Sequence, residues 1–346
     1  MTGKVGVTSA DSSQAARQNL DQMSRSQLAV HGQMVRSFVV SRGFILAGEL
    51  GISSHLEDGA CHVDDLARSV EADADSLYRL LRMLAAHGVF TEVAERIFAN
   101  TPVSSALRPG GVWRAFLEMP GVIGTGRSGL ELAFGVDVWD YLDSRPEVSA
   151  IFSRAVAASH EGEADLVART YDWSRAKTVL DVGGGLGELM VAILEGHCHL
   201  TGVLVERGAV VSEARATLAE RGLADRCEVL EADILTSLPA VEADVAILSH
   251  IVHDWDDQAA ADILRNAAAV IRPGGRLLIL EAIIAPGDTP DSSKVHDMLM
   301  MVTTGGRERT QAEYRDLLAR AGLRLTEVVY LPPTRWGTHL IEAVLD

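Results

Sequence analysis

The run Asp181-Val182-Gly183-Gly184-Gly185-Leu186-Gly187 constrains this chain more than any other stretch. It follows an apolar run, Thr178-Val179-Leu180, and leads into a helical pattern from about Glu188. A strand ending on an acid, a glycine-packed turn and then a helix predict a ligand-cradling loop, because glycines let backbone approach a ligand without a Cβ in the way. The spacing is D-x-G-x-G-x-G. A dinucleotide fingerprint starting at Gly183 needs a third glycine at position 188, where this chain has Glu188.

A carboxylate at that helix start sits badly against a pyrophosphate. It suits a cationic ligand without phosphate, such as S-adenosylmethionine. The residues downstream fit a nucleoside. Leu200-Thr201-Gly202-Val203-Leu204-Val205 reads as the next strand and ends in Glu206, placed to accept hydrogen bonds from ribose hydroxyls. Val229-Leu230 leads to Asp233, placed to reach an adenine amine, with Ile234 against the ring. Asp244–Leu248 reads as a fourth strand opening into Ser249-His250-Ile251-Val252-His253-Asp254-Trp255. A fifth strand, Arg276–Leu280, ends at Glu281. Polar residues thus recur at the carboxyl ends of successive strands, the edge where open α/β sheets bind ligands.

With 31 basic and 48 acidic residues among 346, the net charge is −17. This argues against a nucleic-acid partner, which calls for clustered Lys and Arg. Cys61, Cys198 and Cys227 form no C-x-x-C pair, which suggests buried thiols in a reducing compartment. No apolar run approaches a membrane span, and Met1–Ser13 lacks the apolar region of a secretory signal. The expected location is the cytoplasm.

Four regions are expected. Residues 1–22 read as a polar flexible tail. Residues 23–106 read as helical and winged-helix. Leu28, Val35, Val39, Val40, Ile45 and Leu46 give residues 25–50 an apolar surplus that suits a subunit interface. Leu77, Leu80, Leu81 and Leu84 share one helix face. Val89–Val93 and Ile97–Ala99 read as a two-stranded wing. A winged helix can bind DNA, but Arg79 and Arg82 alone on an acidic chain favour a dimerisation role. Residues 107–175 read as a helical connector, and 176–346 as the α/β domain with two further strands near its end.

Taken together, these residues resemble the histidine-dependent small-molecule S-adenosylmethionine O-methyltransferases. That family includes the plant caffeic acid type and bacterial enzymes that tailor polyketides, mitomycins and other natural products. The resemblance is carried by the winged-helix segment, the glycine turn, Glu206, Asp233, His253-Asp254-Trp255-Asp256-Asp257, Pro273-Gly274-Gly275-Arg276, Glu281 and Gly305-Gly306-Arg307-Glu308-Arg309-Thr310. It implies a class I, Rossmann-like methyltransferase domain behind an N-terminal dimerisation domain, with a homodimer formed by the N-terminal helices. His253 would be the general base, with Glu281 and Glu308 flanking and orienting its imidazole. Asp181, Gly183, Gly185 and Gly187 would hold the methionine moiety, Glu206 the ribose, and Asp233 with Ile234 the adenine. Ser249, at a place held by lysine in plant members, would be a further cofactor contact. Asp254, Trp255, Met298, Met301 and Val302 would meet a phenolic or enolic acceptor, and the connector would help build its pocket. The product would be S-adenosylhomocysteine, with no metal required.

The chemistry is consistent with those roles. A phenol of pKa about 10 attacks poorly at neutral pH, and a histidine can accept its proton as the methyl moves. A carboxylate on the far ring nitrogen fixes the tautomer. Three alternatives stand beside this. His253 could be a solvated helix-entry residue. His250, His253 and Asp254, with Asp256 and Asp257 after them, could be metal ligands, although no ligand set closes and Asp256 and Asp257 suit a helix start. The fold could bind the same cofactor yet perform hydroxylation, decarboxylation or cyclisation.

Overall fold

The computed structural model describes residues 25–331, 334 and 337–346. The polar segment 1–22 lies outside them. The chain divides into two compact units between Trp113 and Arg114.

The first unit opens with a long helix, Arg25–Glu49. A second helix, Ala74–Ala86, is started by Asp73, whose carboxylate accepts the Ser76 N–H at 2.9 Å. It buries Leu77, Leu81 and Leu84, while Leu80 is half-buried. Strands β2 (Phe90–Ala94) and β3 (Ile97–Asn100) form the expected antiparallel wing. A two-residue strand β1 (Cys61–His62) joins β3; it is too short to leave an alternating pattern in the sequence. Trp113 packs into this unit's core with Ile52, Leu81, Phe90 and Phe98. The long helix leaves Met34, Val35, Phe38 and Val39 49–67% exposed.

The second unit is a seven-stranded sheet. Its strands are β4 (Thr178–Val182), β5 (Thr201–Glu206), β6 (Cys227–Glu231), β7 (Ala243–Ser249), β8 (Ile271–Ala282), β9 (Leu323–Tyr330) and β10 (Thr338–Leu345). Their order is β6-β5-β4-β7-β8-β10-β9. Strands β4 to β8 run parallel, and β10 is antiparallel to both β8 and β9.

Alternation along each strand splits the core in two. Val179, Val245, Ile247, Leu278 and Leu280 belong to one cluster. Leu180, Val182, Ala246, Leu248, Leu277 and Ile279 belong to the other. Successive side chains point to opposite faces, so strands covered on both faces must be apolar throughout. The parallel arrangement carries the ends of β4, β5, β7 and β8 to one edge. There Val182 passes into the glycine turn and β7 into the segment holding His253. Short helices between Met119 and Thr170 precede the sheet.

Candidate active site

The glycine turn is a backbone requirement. Gly183, Gly185 and Gly187 have φ of 73°, 55° and 87°, a region that favours glycine. At Gly184 a Cβ would lie 2.7 Å from an Asp181 oxygen. Glu188 opens the helix Glu188–Gly196 directly after the turn. Asp181 is 1% exposed, and neither of its carboxylate oxygens has a hydrogen-bond partner among the described residues. Burial first, and then the nearby Glu206 carboxylate, raise its pKa to about 7. Glu206 turns toward the loop: it accepts the Gly185 N–H at 2.9 Å and the Arg207 N–H at 2.7 Å. Burial raises its pKa against the pull of those two N–H groups.

The other expected cofactor residues stand nearer solvent. Asp233 is exposed and accepts the Leu235 N–H at 3.0 Å. Ile234 and Ser249 are half-buried.

His253 lies in a tight turn, Val252–Asp254, and is 4% exposed, which excludes a solvated role. Its Nδ1 is 2.8 Å from Glu308 Oε1. A carboxylate only accepts, so Nδ1 carries the hydrogen and Nε2 faces away from Glu308. Glu281 departs from its expected place beside the ring. Its Oε1 accepts the main-chain N–H groups of Ile251 and His253, both at 3.1 Å, and Tyr314 Oη donates to its Oε2. Strand β8 brings this carboxylate to the backbone of the turn rather than to the ring. Burial opposes charge on His253, but Glu281 and Glu308 outweigh it and hold the imidazole pKa well above its ordinary value. Burial likewise resists ionisation of Glu308, and His253 then holds that carboxyl well below its usual range.

The 305–310 loop clamps this turn. Gly306 packs so closely that a Cβ would lie 2.0 Å from the His253 carbonyl oxygen. Arg307 N–H donates to the same oxygen at 2.8 Å. Arg309, 1% exposed, donates to the carbonyls of Val252 and Trp255 at 3.0 and 2.9 Å and to Asp257. Asp257 is therefore an arginine partner, and Asp256 caps the helix Asp257–Ala269. Neither fits the metal alternative.

Asp254 Oδ1 is 4.0 Å from His253 Nε2, and burial raises the Asp254 pKa to about 7. Trp255 stacks on Trp139 with centroids 5.5 Å apart. On the helix Ser293–Thr303, Met298 is 37% exposed and Met301 half-buried. Val302 is only 1% exposed, so its side chain is packed in rather than open to a ligand.

Several residues escaped the sequence reading. His296, on that same helix, places Nδ1 2.6 Å from Glu308 Oε1. An imidazole two residues before the apolar run Met298–Val302 was its one signal. Glu163 is buried against His250, with Oε2 2.8 Å from Nε2. Two groups therefore gather three possible ligands each: His160, Glu163 and His250, and His253, His296 and Glu308. In both, the short nitrogen–carboxylate contacts are hydrogen bonds.

A mostly parallel sheet with a glycine turn and a buried, unpartnered acid at its carboxyl edge defines a Rossmann-like methyltransferase domain. The sequence matches the O-methyltransferase domain over residues 118–324 and the O-methyltransferase dimerisation domain over residues 33–109, and the chain belongs to this O-methyltransferase family. It is 35% identical over 325 residues to the phenazine O-methyltransferase PhzM of Lysobacter antibioticus, covering 90% of this chain and 94% of that one. It is 34% identical over 300 residues to the aclacinomycin 10-hydroxylase RdmB of Streptomyces purpurascens, covering 81% and 80%. Among solved structures, the mitomycin 7-O-methyltransferase MmcR matches with TM-score 0.75 and 32% identity, over 96% of this chain and 100% of that one. NcsB1, an O-methyltransferase of neocarzinostatin biosynthesis in complex with S-adenosylmethionine and 2-hydroxy-5-methyl naphthoic acid, matches with TM-score 0.67 and 28% identity, over 89% and 96%.

This protein is an S-adenosylmethionine-dependent O-methyltransferase of the natural-product type. Its site suits that cofactor. The orphaned Asp181 oxygens call for a partner with N–H or cationic groups, and the Cβ-free turn gives it room. Among the described residues no helix is long and apolar enough to cross a membrane.

Proposed function

We propose that the enzyme methylates a hydroxyl of an aromatic or polyketide-like acceptor, phenolic or enolic, with His253 as general base. The observation that carries this is the buried 2.8 Å contact from His253 Nδ1 to Glu308. It fixes the tautomer whose Nε2 lone pair can take a proton from the acceptor. When bound, S-adenosylmethionine supplies an electrophilic methyl group on a cationic sulfur. Asp181, Gly183, Gly185 and Gly187 hold its amino-acid end, Glu206 its ribose, and Asp233, Ile234 and Ser249 its adenine side. Asp254, Trp255, Met298 and Met301 border the acceptor. Residues 23–106 pair two chains through their N-terminal helices, and the connector 107–175 contributes to the acceptor pocket.

The flanking carboxylates stabilise the imidazolium that forms when the proton is taken, but the same raised pKa protonates the ring at neutral pH before an acceptor arrives, so the base must first be made neutral. A cationic sulfur nearby opposes a second positive charge on the ring and so favours the neutral base.

The relative named as a hydroxylase keeps a second reading in play, in which the same cofactor site serves another reaction. Labelled-methyl transfer to a panel of hydroxylated aromatics separates the two. The wild type is expected to label an acceptor oxygen. His253→Ala should lower turnover by roughly 10²–10⁴-fold, with S-adenosylhomocysteine affinity within about twofold of wild type. Undiminished turnover in that variant removes His253 from the chemistry.

A further inference from the structure

His160 and His250 stack with ring centroids 3.6 Å apart and planes 24° apart. Each ring has one nitrogen anchored and one buried without a hydrogen-bond partner among the described residues. His160 Nδ1 lies 3.0 Å from the Val156 carbonyl oxygen. A carbonyl only accepts, so Nδ1 bears the hydrogen. Burial, and then His250, lower the His160 pKa to about 2, so the ring is neutral. Its Nε2 is therefore a lone pair, buried and unmatched.

His250 Nε2 meets Glu163 Oε2 at 2.8 Å, and Glu163 Oε1 accepts the Thr338 hydroxyl at 2.8 Å. Both carboxylate oxygens of Glu163 are thus engaged. The His250 and Glu163 side chains are 8% and 7% exposed. His250 Nδ1 is the second unmatched nitrogen. His250 also holds a φ of 54°, a strained conformation for a residue with a Cβ.

Buried polar atoms are rarely left unpaired, and two on adjacent rings in a held conformation point to a ligand. The pair's position says which molecule. The next residue, Ile251, abuts the glycine turn, since a Cβ on Gly183 would lie 2.5 Å from its Cδ1. On the other side, the His250 ring centroid is 5.6 Å from that of His253. The stack therefore stands beside the ring of the base, and its His250 is one residue along the chain from the side chain that abuts the cofactor turn.

Stacked rings make a poor metal site. Imidazole lone pairs lie in the ring plane, and those of two near-parallel rings run side by side instead of converging on one ion.

We propose that His160 and His250 form a subsite for a hydrogen-bond donor group, an ammonium, amine or hydroxyl, on a small molecule bound beside His253. Two molecules can bring that group: the methyl donor, through its α-ammonium, and the acceptor, through a second hydroxyl or amine. The inference rests on the reading that both occupy this site.

Calorimetric titration of the full chain distinguishes the sources. One pair of probes is S-adenosylhomocysteine and its analogue without the α-amino group. The other, with S-adenosylhomocysteine saturating, is 1,2-dihydroxynaphthalene and 2-naphthol. His160→Phe keeps an aromatic ring in the stack and removes the lone pair. It should weaken the donor-bearing member of one pair roughly 5- to 10-fold, the worth of one hydrogen bond, and leave its partner within about twofold. His160→Gln, which restores a carbonyl acceptor, should recover most of the loss. Thr338→Val loosens the hold of Glu163 on His250 without touching either ring, and should give a smaller loss of the same selectivity.

Selectivity lost in the amino pair assigns the subsite to the methyl donor. Selectivity lost in the hydroxyl pair assigns it to the acceptor. Ratios unchanged in both pairs, or equal losses for both members, overturn the proposal and leave the nitrogens facing water. These titrations need no methyl transfer, so a failed base assignment at His253 leaves the ratios readable. A wild type that binds none of the four compounds overturns the subsite together with the reading beneath it, and shows this without any variant.

Discussion

Asp181 is where one side chain most plainly trades stability for function. Its carboxyl is buried and has no hydrogen-bond partner among the described residues, and its pKa is raised from 3.8 to about 7. Between those values the folded state holds a proton that the unfolded state has released. Stability of the cofactor-free protein therefore falls as pH rises through this window, and the penalty is fully present above about 7. Asp254, also raised to about 7 by burial, acts in the same direction. Asp181→Asn should stabilise the cofactor-free protein by roughly 1–3 kcal/mol at pH 8 and change little at pH 4. The same variant should bind S-adenosylhomocysteine roughly 10- to 100-fold more weakly. Thermal denaturation at the two pH values and calorimetric titration check both halves. A variant less stable than wild type at pH 8 contradicts the account. The sequence marked Asp181 as the acid at a strand end, but it could not show that both oxygens lack partners, since that depends on what the rest of the chain places around them.

Among elements, the decisive contact is the 305–310 loop on the His253 turn. The sequence reading had Gly305–Thr310 as a recognisable run and Glu308 as a partner of the imidazole. It did not foresee that Arg309 is buried and holds the carbonyls of Val252 and Trp255, or that Gly306 abuts the His253 carbonyl. These contacts join residues more than fifty positions apart, and no local pattern encodes them. Gly306→Ala puts a methyl group where the His253 carbonyl oxygen stands, so the turn must shift. Turnover should fall roughly 10- to 100-fold, because a displacement of about 1 Å is costly to a positioned base. Affinity for S-adenosylhomocysteine should stay within about threefold, since the glycine turn at β4 is a separate segment. Steady-state kinetics alongside calorimetry test this, and wild-type turnover in the alanine variant would contradict the clamp.

At the scale of the whole molecule, the feature to explain is the Arg25–Glu49 helix. Phe38 is 67% exposed and Met34 66%, with Val35 and Val39 beside them. An apolar stripe of this kind marks an association surface, and the match to the O-methyltransferase dimerisation domain over residues 33–109 supports a homodimer. Phe38→Glu should shift the protein to monomer in sedimentation velocity at micromolar concentration, while isolated surface charges elsewhere should not. A Phe38→Glu protein that still sediments as a dimer rules out this face of the helix.

The sequence by itself determined the sheet, the glycine turn, and the acids and the histidine at the carboxyl ends of its strands. Those follow from local chemistry: apolar runs buried on both faces, glycines where φ must be positive, and the polar break that ends each strand. Only the tertiary structure decided which groups meet. It set Glu308 on the ring of His253 and Glu281 on its backbone, brought His296 to the same carboxylate, and stacked His160 on His250. Such pairings depend on how distant segments pack, and a one-dimensional pattern carries no record of distance between them.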